Sequence, residues 1–144
     1  MDIYVGCDHA GYNLKQAVKK HLEEKGHQVI DLGSFNADES VDYPDIAREV
    51  AEKIQENQDA MGIMICGTGQ GSAMAANRHK KVRAALCPTL DHAEMARRHN
   101  HANVLCLGER LTEESLALQI VDKFLETKPD PEERHKKRVE MFDK

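Results

Sequence analysis

The sequence predicts a three-layer α/β/α, Rossmann-like domain around a five-stranded parallel sheet, and three observations carry that prediction. Short apolar runs of strand length alternate with longer stretches of helical periodicity along most of the chain. Glycine, proline and capping residues fall at the junctions. The 144 residues suffice for one core and are too few for two domains.

Residues 2–7 (DIYVGC) read as the first strand. Residues 12–25 read as a helix with Leu14, Ala17, Val18 and Leu22 on one face, stopped by Gly26. His27 to Leu32 is the second strand, and Pro44 stands in the first turn of a helix burying Ile46, Ala47, Val50, Ala51 and Ile54. Ala60 to Cys66 is the third strand, followed by a glycine loop and a helix through Asn77. Val82 to Cys87 is the fourth, after which Thr89 caps a helix. Asn103 to Gly108 is the fifth, and Thr112 is expected to cap a helix whose inner face is Ala117, Ile120, Val121 and Phe124.

Residues 1–128 are thus the domain proper, and 129–144 its helical tail. In the tail, Asp130 as cap and Pro131 at the first position start a short helix. Arg134 and Arg138 share one face, with His135, Val139 and Phe142 on the neighbouring one. This helix is too small to fold alone, so it is expected to dock on its own domain or on a partner subunit.

Composition narrows the partners. A net charge of -5 gives no general attraction to nucleic acid or to an anionic membrane. Residues 60–77 are uncharged, but glycines and polar residues fill half of them, so no membrane span is expected. Cys7, Cys66, Cys87 and Cys106 form no C-x-x-C pair, and Asp2, Asp8 and His9 interrupt any apolar leader. The expectation is a reduced, cytoplasmic protein.

In doubly wound sheets, ligands bind beyond the carboxyl ends of the strands, where the strand order reverses. The loops after strands one and three, Asp8-His9 and Gly67 to Gly71, are the pair expected to flank that crevice. The stretch CGTGQG lacks the G-x-G-x-x-G spacing of a dinucleotide loop and the G-K-[S/T] of a P-loop. Its backbone amides at Gly67, Thr68, Gly69, Gln70 and Gly71 can still converge on an anion, whether a phosphate or a developing oxyanion. A thiol at a helix N-terminus is favoured as thiolate. A strand-end cysteine is otherwise an inert space-filler, and the residues alone leave both readings of Cys66 open.

Asp8 and His9 suit hydroxyl binding or proton transfer, and equally a plain turn. His99-Asn100-His101 has H-x-H spacing without a third ligand nearby, so no metal is expected. Spacing does not choose between His99 and His101 as an acid/base. Arg110 follows strand five at the ligand edge. Arg134 and Arg138 make either a clamp for a phosphate dianion or a solvated helix face.

Taken together, Asp8-His9-Ala10-Gly11, Asp42-Tyr43-Pro44, Cys66-Gly67-Thr68-Gly69-x-Gly71, Ala75-Ala76-Asn77, Arg98-His99-Asn100, Asn103-Val104-Leu105, Gly108-x-Arg110 and Arg134-His135-x-x-Arg138 carry a resemblance. The chain resembles the type B ribose-5-phosphate isomerases, a family that includes galactose- and allose-6-phosphate isomerases. The resemblance covers essentially the whole chain. It implies a metal-free, cofactor-free aldose–ketose isomerisation of a small sugar phosphate through a cis-enediol. Cys66 would move the proton between C1 and C2, with Thr68 and the amides of Gly67, Gly69, Gln70 and Gly71 cradling the enediolate. His99 would open the furanose, with Asp8 and His9 binding sugar hydroxyls beside it. Tyr43, Asn100, Arg110, Arg134 and Arg138 match ligand positions, the arginines on the phosphate. A homodimer completing the site would give the tail helix a partner subunit to dock on.

The family's alternative base is a glutamate just after the last loop glycine. Ser72 stands there, which leaves Cys66. Ser72-Ala73 and Arg78 depart from the common pattern and bear on the choice of sugar, pentose or hexose. Two other classes stay open on the residues: a non-catalytic phosphosugar-binding regulator, and a metal-dependent hydride-shift isomerase using His99 and His101.

Overall fold

The computed structural model describes residues 1–144, and every predicted strand and helix forms. Strands β1 (Asp2–Cys7), β2 (Gln28–Asp31), β3 (Met61–Cys66), β4 (Ala84–Leu86) and β5 (Val104–Gly108) make one parallel sheet in the order β2-β1-β3-β5-β4. The continuous apolar runs of β3 and β5 are explained by their central place, since every residue of both is buried. The edge strands β2 and β4 are shorter than their apolar runs suggest. Each has a neighbour on one side only, and pairing ends where that neighbour stops matching it.

Helices α1 (Tyr12–Glu24), α4 (Leu90–Arg98) and α5 (Glu114–Glu126) pack on one face of the sheet, α2 (Tyr43–Glu56) and α3 (Gln70–Ala76) on the other. Strand alternation sorts the core accordingly. Ile63, Ile65, Leu105 and Leu107 meet Leu14, Val18, Ile120 and Phe124, while Met64, Val104 and Cys106 meet Ile46, Val50 and Ile54. Burying each large apolar side chain contributes about 1.5–3 kcal/mol, so both layers are needed to hold the sheet. No helix is long and apolar enough to cross a membrane.

Two caps differ from expectation. Thr112 does not cap α5: its amide donates to the Gly108 carbonyl in a turn, and the capping position falls on Glu113. In the tail, α6 (Glu133–Glu140) starts after Glu132, and Asp130 Oδ1 accepts the Glu132 amide in a turn before the helix. Thr89 does cap α4, accepting the His92 amide.

Lys15 of α1 is fully buried. Its Nζ stands 2.6 Å from Asp31 Oδ1 and donates to the Ser34 carbonyl at 2.6 Å. Burial pushes the Asp31 carboxyl up, but Lys15, the Gly33 amide and Lys19 together hold it below the usual range. The contact ties α1 to the end of β2 and the segment beyond it.

α1 carries the chain from β1 to one side of the sheet, and α3 carries it from β3 to the other. A crevice therefore opens between β1 and β3 at their carboxyl ends. The tail docks at the opposite end. Asp130 N donates to the Arg98 carbonyl, the His101 ring contacts the Asp130 carbonyl, and Lys81 N donates to Asp143 Oδ2. The tail helix, expected on its own domain or on a partner subunit, touches its own chain through the buried His135.

Candidate active site

At the carboxyl ends lies a cavity of about 260 Å³. The loop after β1 supplies Asp8, His9 and Ala10, and the loop after β3 supplies Cys66, Gly67, Thr68 and Gly71. Arg110 reaches in from beyond β5, and Tyr43 from the start of α2. Eight residues singled out in the sequence thus converge within one chain.

Cys66 ends β3, in register with Gly108 of β5, and is 4% exposed. Its Sγ accepts the Gly69 amide at 3.1 Å. That contact requires glycine: Gly69 has φ +82°, and a Cβ there would lie 2.6 Å from Leu86 Cδ1 and 2.9 Å from the Leu107 carbonyl carbon. Burial pushes Cys87 up to about 12 and raises Cys7 and Cys106. The expected five-amide cradle is also rearranged. Gly69 is engaged by the sulfur and Gln70 by Thr68 Oγ1, while the amides of Gly67, Thr68, Gly71 and Ser72 have no acceptor within the protein. Four free donors at the start of α3 suit a developing oxyanion.

Asp8 makes the turn. Oδ1 accepts the Ala10 and Gly11 amides at 3.0 and 3.2 Å, which leaves Oδ2 for a ligand. His9 Nδ1 accepts the Val41 amide at 3.2 Å, which places the proton of the neutral ring on Nε2 and makes that nitrogen a donor. The Arg110 guanidinium lies against Gly67, setting a cation beside the free amides. Tyr43 lies over Gly71, where a Cβ would meet its ring at 2.5 Å.

His99, Asn100, Arg134 and Arg138 are elsewhere. α4 runs back along the sheet, so His99, at its C-terminal end, and Asn100 precede β5 at the amino end. β3 alone separates the two ends by roughly 16 Å. Asn100, Arg134 and Arg138 are exposed there, and Arg134 pairs with Glu132 at 2.7 Å. One chain does not place His99 beside Asp8 and His9. Gln70 is exposed and does not line the cavity.

The amino-end group has its own order. The His99 and His135 rings stack with centroids 4.3 Å apart at 13°. Burial, then the neighbouring His99 and Arg134, hold the His135 imidazole below its ordinary range. Donor atoms of His99, Asp130 and His135 lie within 4.8 Å of one another. Parallel rings direct their lone pairs side by side, so one ring must turn before they could share a cation. His101 is not part of that group: its Nε2 contacts the Asp130 carbonyl at 3.1 Å.

Sequence reading missed Val41, which acts through its backbone amide and so leaves no side-chain signal. It also missed Glu109, whose Oε1 accepts the Leu14 amide at the start of α1. An acid beside Arg110 at a strand end was the available clue.

Comparison with known proteins bears on the same residues. A ribose/galactose isomerase family model matches residues 3–142. The chain belongs to the ribose/galactose isomerase family. Within it, the probable ribose-5-phosphate isomerase B of Mycoplasma pneumoniae is 47% identical over 95% of this chain and 90% of its own length. The ribose 5-phosphate isomerase B structure from Thermotoga maritima superimposes with TM-score 0.95 at 46% identity, covering 99% and 97% of the two chains. The Mycoplasma genitalium enzyme, solved with bound ribulose-5-phosphate, gives TM-score 0.92 at 44% identity over 96% and 91%. Family membership thus covers both the carboxyl-end cavity and the tail.

Proposed function

We propose that the protein interconverts ribose 5-phosphate and ribulose 5-phosphate, with Cys66 as the base. The observation that carries this reading is the Cys66 sulfur, set against a backbone donor and beside four free amides. A relative at 44% identity binds ribulose-5-phosphate, which matches the chemistry of this cavity.

In the forward direction the furanose opens to the aldehyde. The Cys66 thiolate removes the C2 proton, and the electron pair forms the C1–C2 double bond as charge moves onto O1. The free amides bind that oxygen more strongly as it becomes anionic, which lowers the barrier for a weak carbon acid. Protonation of O1, return of the proton from Cys66 to C1 and loss of the O2 proton then give the ketose. Asp8 and His9 line the same cavity, and His9 Nε2 and Asp8 Oδ2, left without protein partners, are assigned to hydroxyl or phosphate oxygens.

Ring opening belongs to His99, and phosphate binding to Arg110 with Arg134 and Arg138. Because the amino-end group stands a strand's length from Cys66, we assign it to the partner's site in a homodimer. Each of the two sites then draws Cys66 from one chain and His99 from the other. The four cysteines are free thiols, consistent with a reducing cytoplasm.

The direct test measures turnover of ribose 5-phosphate and allose 6-phosphate by the wild type and Cys66→Ala. The wild type is expected to prefer the pentose. The variant is expected to bind it and lose about 10²–10⁴ in kcat. Near-normal turnover by the variant would remove Cys66 as base, and an inactive wild type would favour a binding protein.

A further inference from the structure

His99 is the C-cap of α4, and imidazole χ2 is a broad torsion that the helix end does not itself fix. His135 of α6 lies face to face with His99 at 4.3 Å and 13°. His135 is 7% exposed, and its buried Nε2 has no hydrogen-bond partner; the nearest carboxylate oxygen, on Glu132, is 3.8 Å away. That nitrogen makes no hydrogen bond here, so what His135 offers His99 is the flat face of its ring.

We propose that His135 is a positioning residue: its ring sets the plane of the His99 imidazole, aiming the edge nitrogens of His99 at the sugar ring oxygen in the partner's site. The inference rests on the ring-opening role given to His99 above. It explains why a tail helix with a single buried side chain is held at this place. Asp130, whose amide donates to the Arg98 carbonyl, anchors the segment, so the stack joins α6 to the end of α4. His99, Asp130, Glu132 and Arg134 face His135; His135 and Asp130 face His99, and Arg98 pairs with Asp130 at 3.8 Å. Two parallel imidazolium rings would repel, and burial disfavours the charged form of His135. The stack is therefore maintained with one uncharged member.

The test compares His135→Ala, which removes the flat surface, with His135→Phe, which keeps it and removes both nitrogens. In the ligand-free protein, the His99 ring-proton resonances should lose their ring-current displacement in His135→Ala and keep most of it in His135→Phe. In turnover of ribose 5-phosphate, His135→Ala should lose about tenfold to a hundredfold in kcat with KM little changed, while His135→Phe stays within a few-fold of wild type. Exchange of the C1 proton of ribulose 5-phosphate in D₂O should persist in His135→Ala, because enolisation of an open-chain ketose needs no ring step. Equal loss in both variants, unchanged kcat in His135→Ala, or exchange lost in step with turnover overturns the proposal. An inactive wild type overturns the isomerase reading as well, whereas an active wild type with unchanged His135→Ala overturns only the positioning role.

Discussion

The Gly69 amide donates to Cys66 Sγ across 3.1 Å, whereas Cys7 and Cys87 stand as donors to the carbonyls of Ser34 and Ala85. A sulfur that accepts a hydrogen bond is prepared to carry negative charge; a thiol that donates one is not. Limiting iodoacetamide at neutral pH should therefore alkylate Cys66 first, and ribose 5-phosphate should protect it. Peptide mapping by mass spectrometry that finds Cys7, Cys87 or Cys106 modified first would reject this reading of the sulfur.

Tyr43 covers Gly71 so closely that a single methyl group must displace it. Gly71→Ala is expected to push the ring away, at about 1–3 kcal/mol, and to raise KM for the sugar phosphate. Tyr43→Ala, which vacates the contested space, should restore stability to the Gly71→Ala background. Additive losses in a double-mutant cycle of urea unfolding would show that the two residues do not compete.

The assignment of Cys66 and His99 to different chains of one site makes a sharp prediction. Cys66→Ala and His99→Asn should each be nearly inactive. Unfolded together in equal amounts and refolded, they should regain about one quarter of wild-type activity, since half of the dimers are mixed and each holds one intact site. Absence of any regain in dimers shown by mass to be mixed would place both residues in the same chain's site.

Removing the buried ammonium leaves Asp31 with a poorer partner. Lys15→Ala should cost about 3–5 kcal/mol in urea unfolding, with the fold intact in far-UV spectra. A loss below 1 kcal/mol would show that Lys19 and water replace it.

Stability should fall in acid, in two stages. Burial raises the carboxyls of Asp31 and Asp122, but their basic partners and hydrogen bonds prevail and hold both low. The unfolded chain therefore binds more protons near pH 4, so this contribution is present above about pH 4 and lost as pH falls through the lower folded values. His135, also held low, gives a separate loss beginning near pH 6.5, the ordinary histidine value. Urea midpoints from pH 8 to 3 should show both stages, and His135→Phe should lack the upper one.

Much of this was legible in the residues. Apolar runs at β3 and β5 marked the centre of the sheet, because burial on both faces leaves no alternation. The crevice followed from the place of Asp8 and Cys66 at two strand ends. Less visible were features made by the backbone: the Val41 amide that orients His9, and the internal engagement of Gly69 and Gln70. His99 was recognisable as an acid/base by resemblance, but not its distance from Cys66. That distance depends on the antiparallel course of α4, which periodicity does not locate in space. Thr112 was misread because a turn around Gly108 takes its amide before the helix begins.

With Cys66 and His99 assigned to different chains of one site, as proposed above, association becomes part of the reaction. On that assignment, a chain diluted below its dimer dissociation constant would keep its sulfur and its arginines and have no complete site. Specific activity should then climb with enzyme concentration and level off once the chains are paired. A sugar phosphate held by groups from both chains is, by linkage, an adhesive between them, so saturating substrate should move that rise to lower concentration.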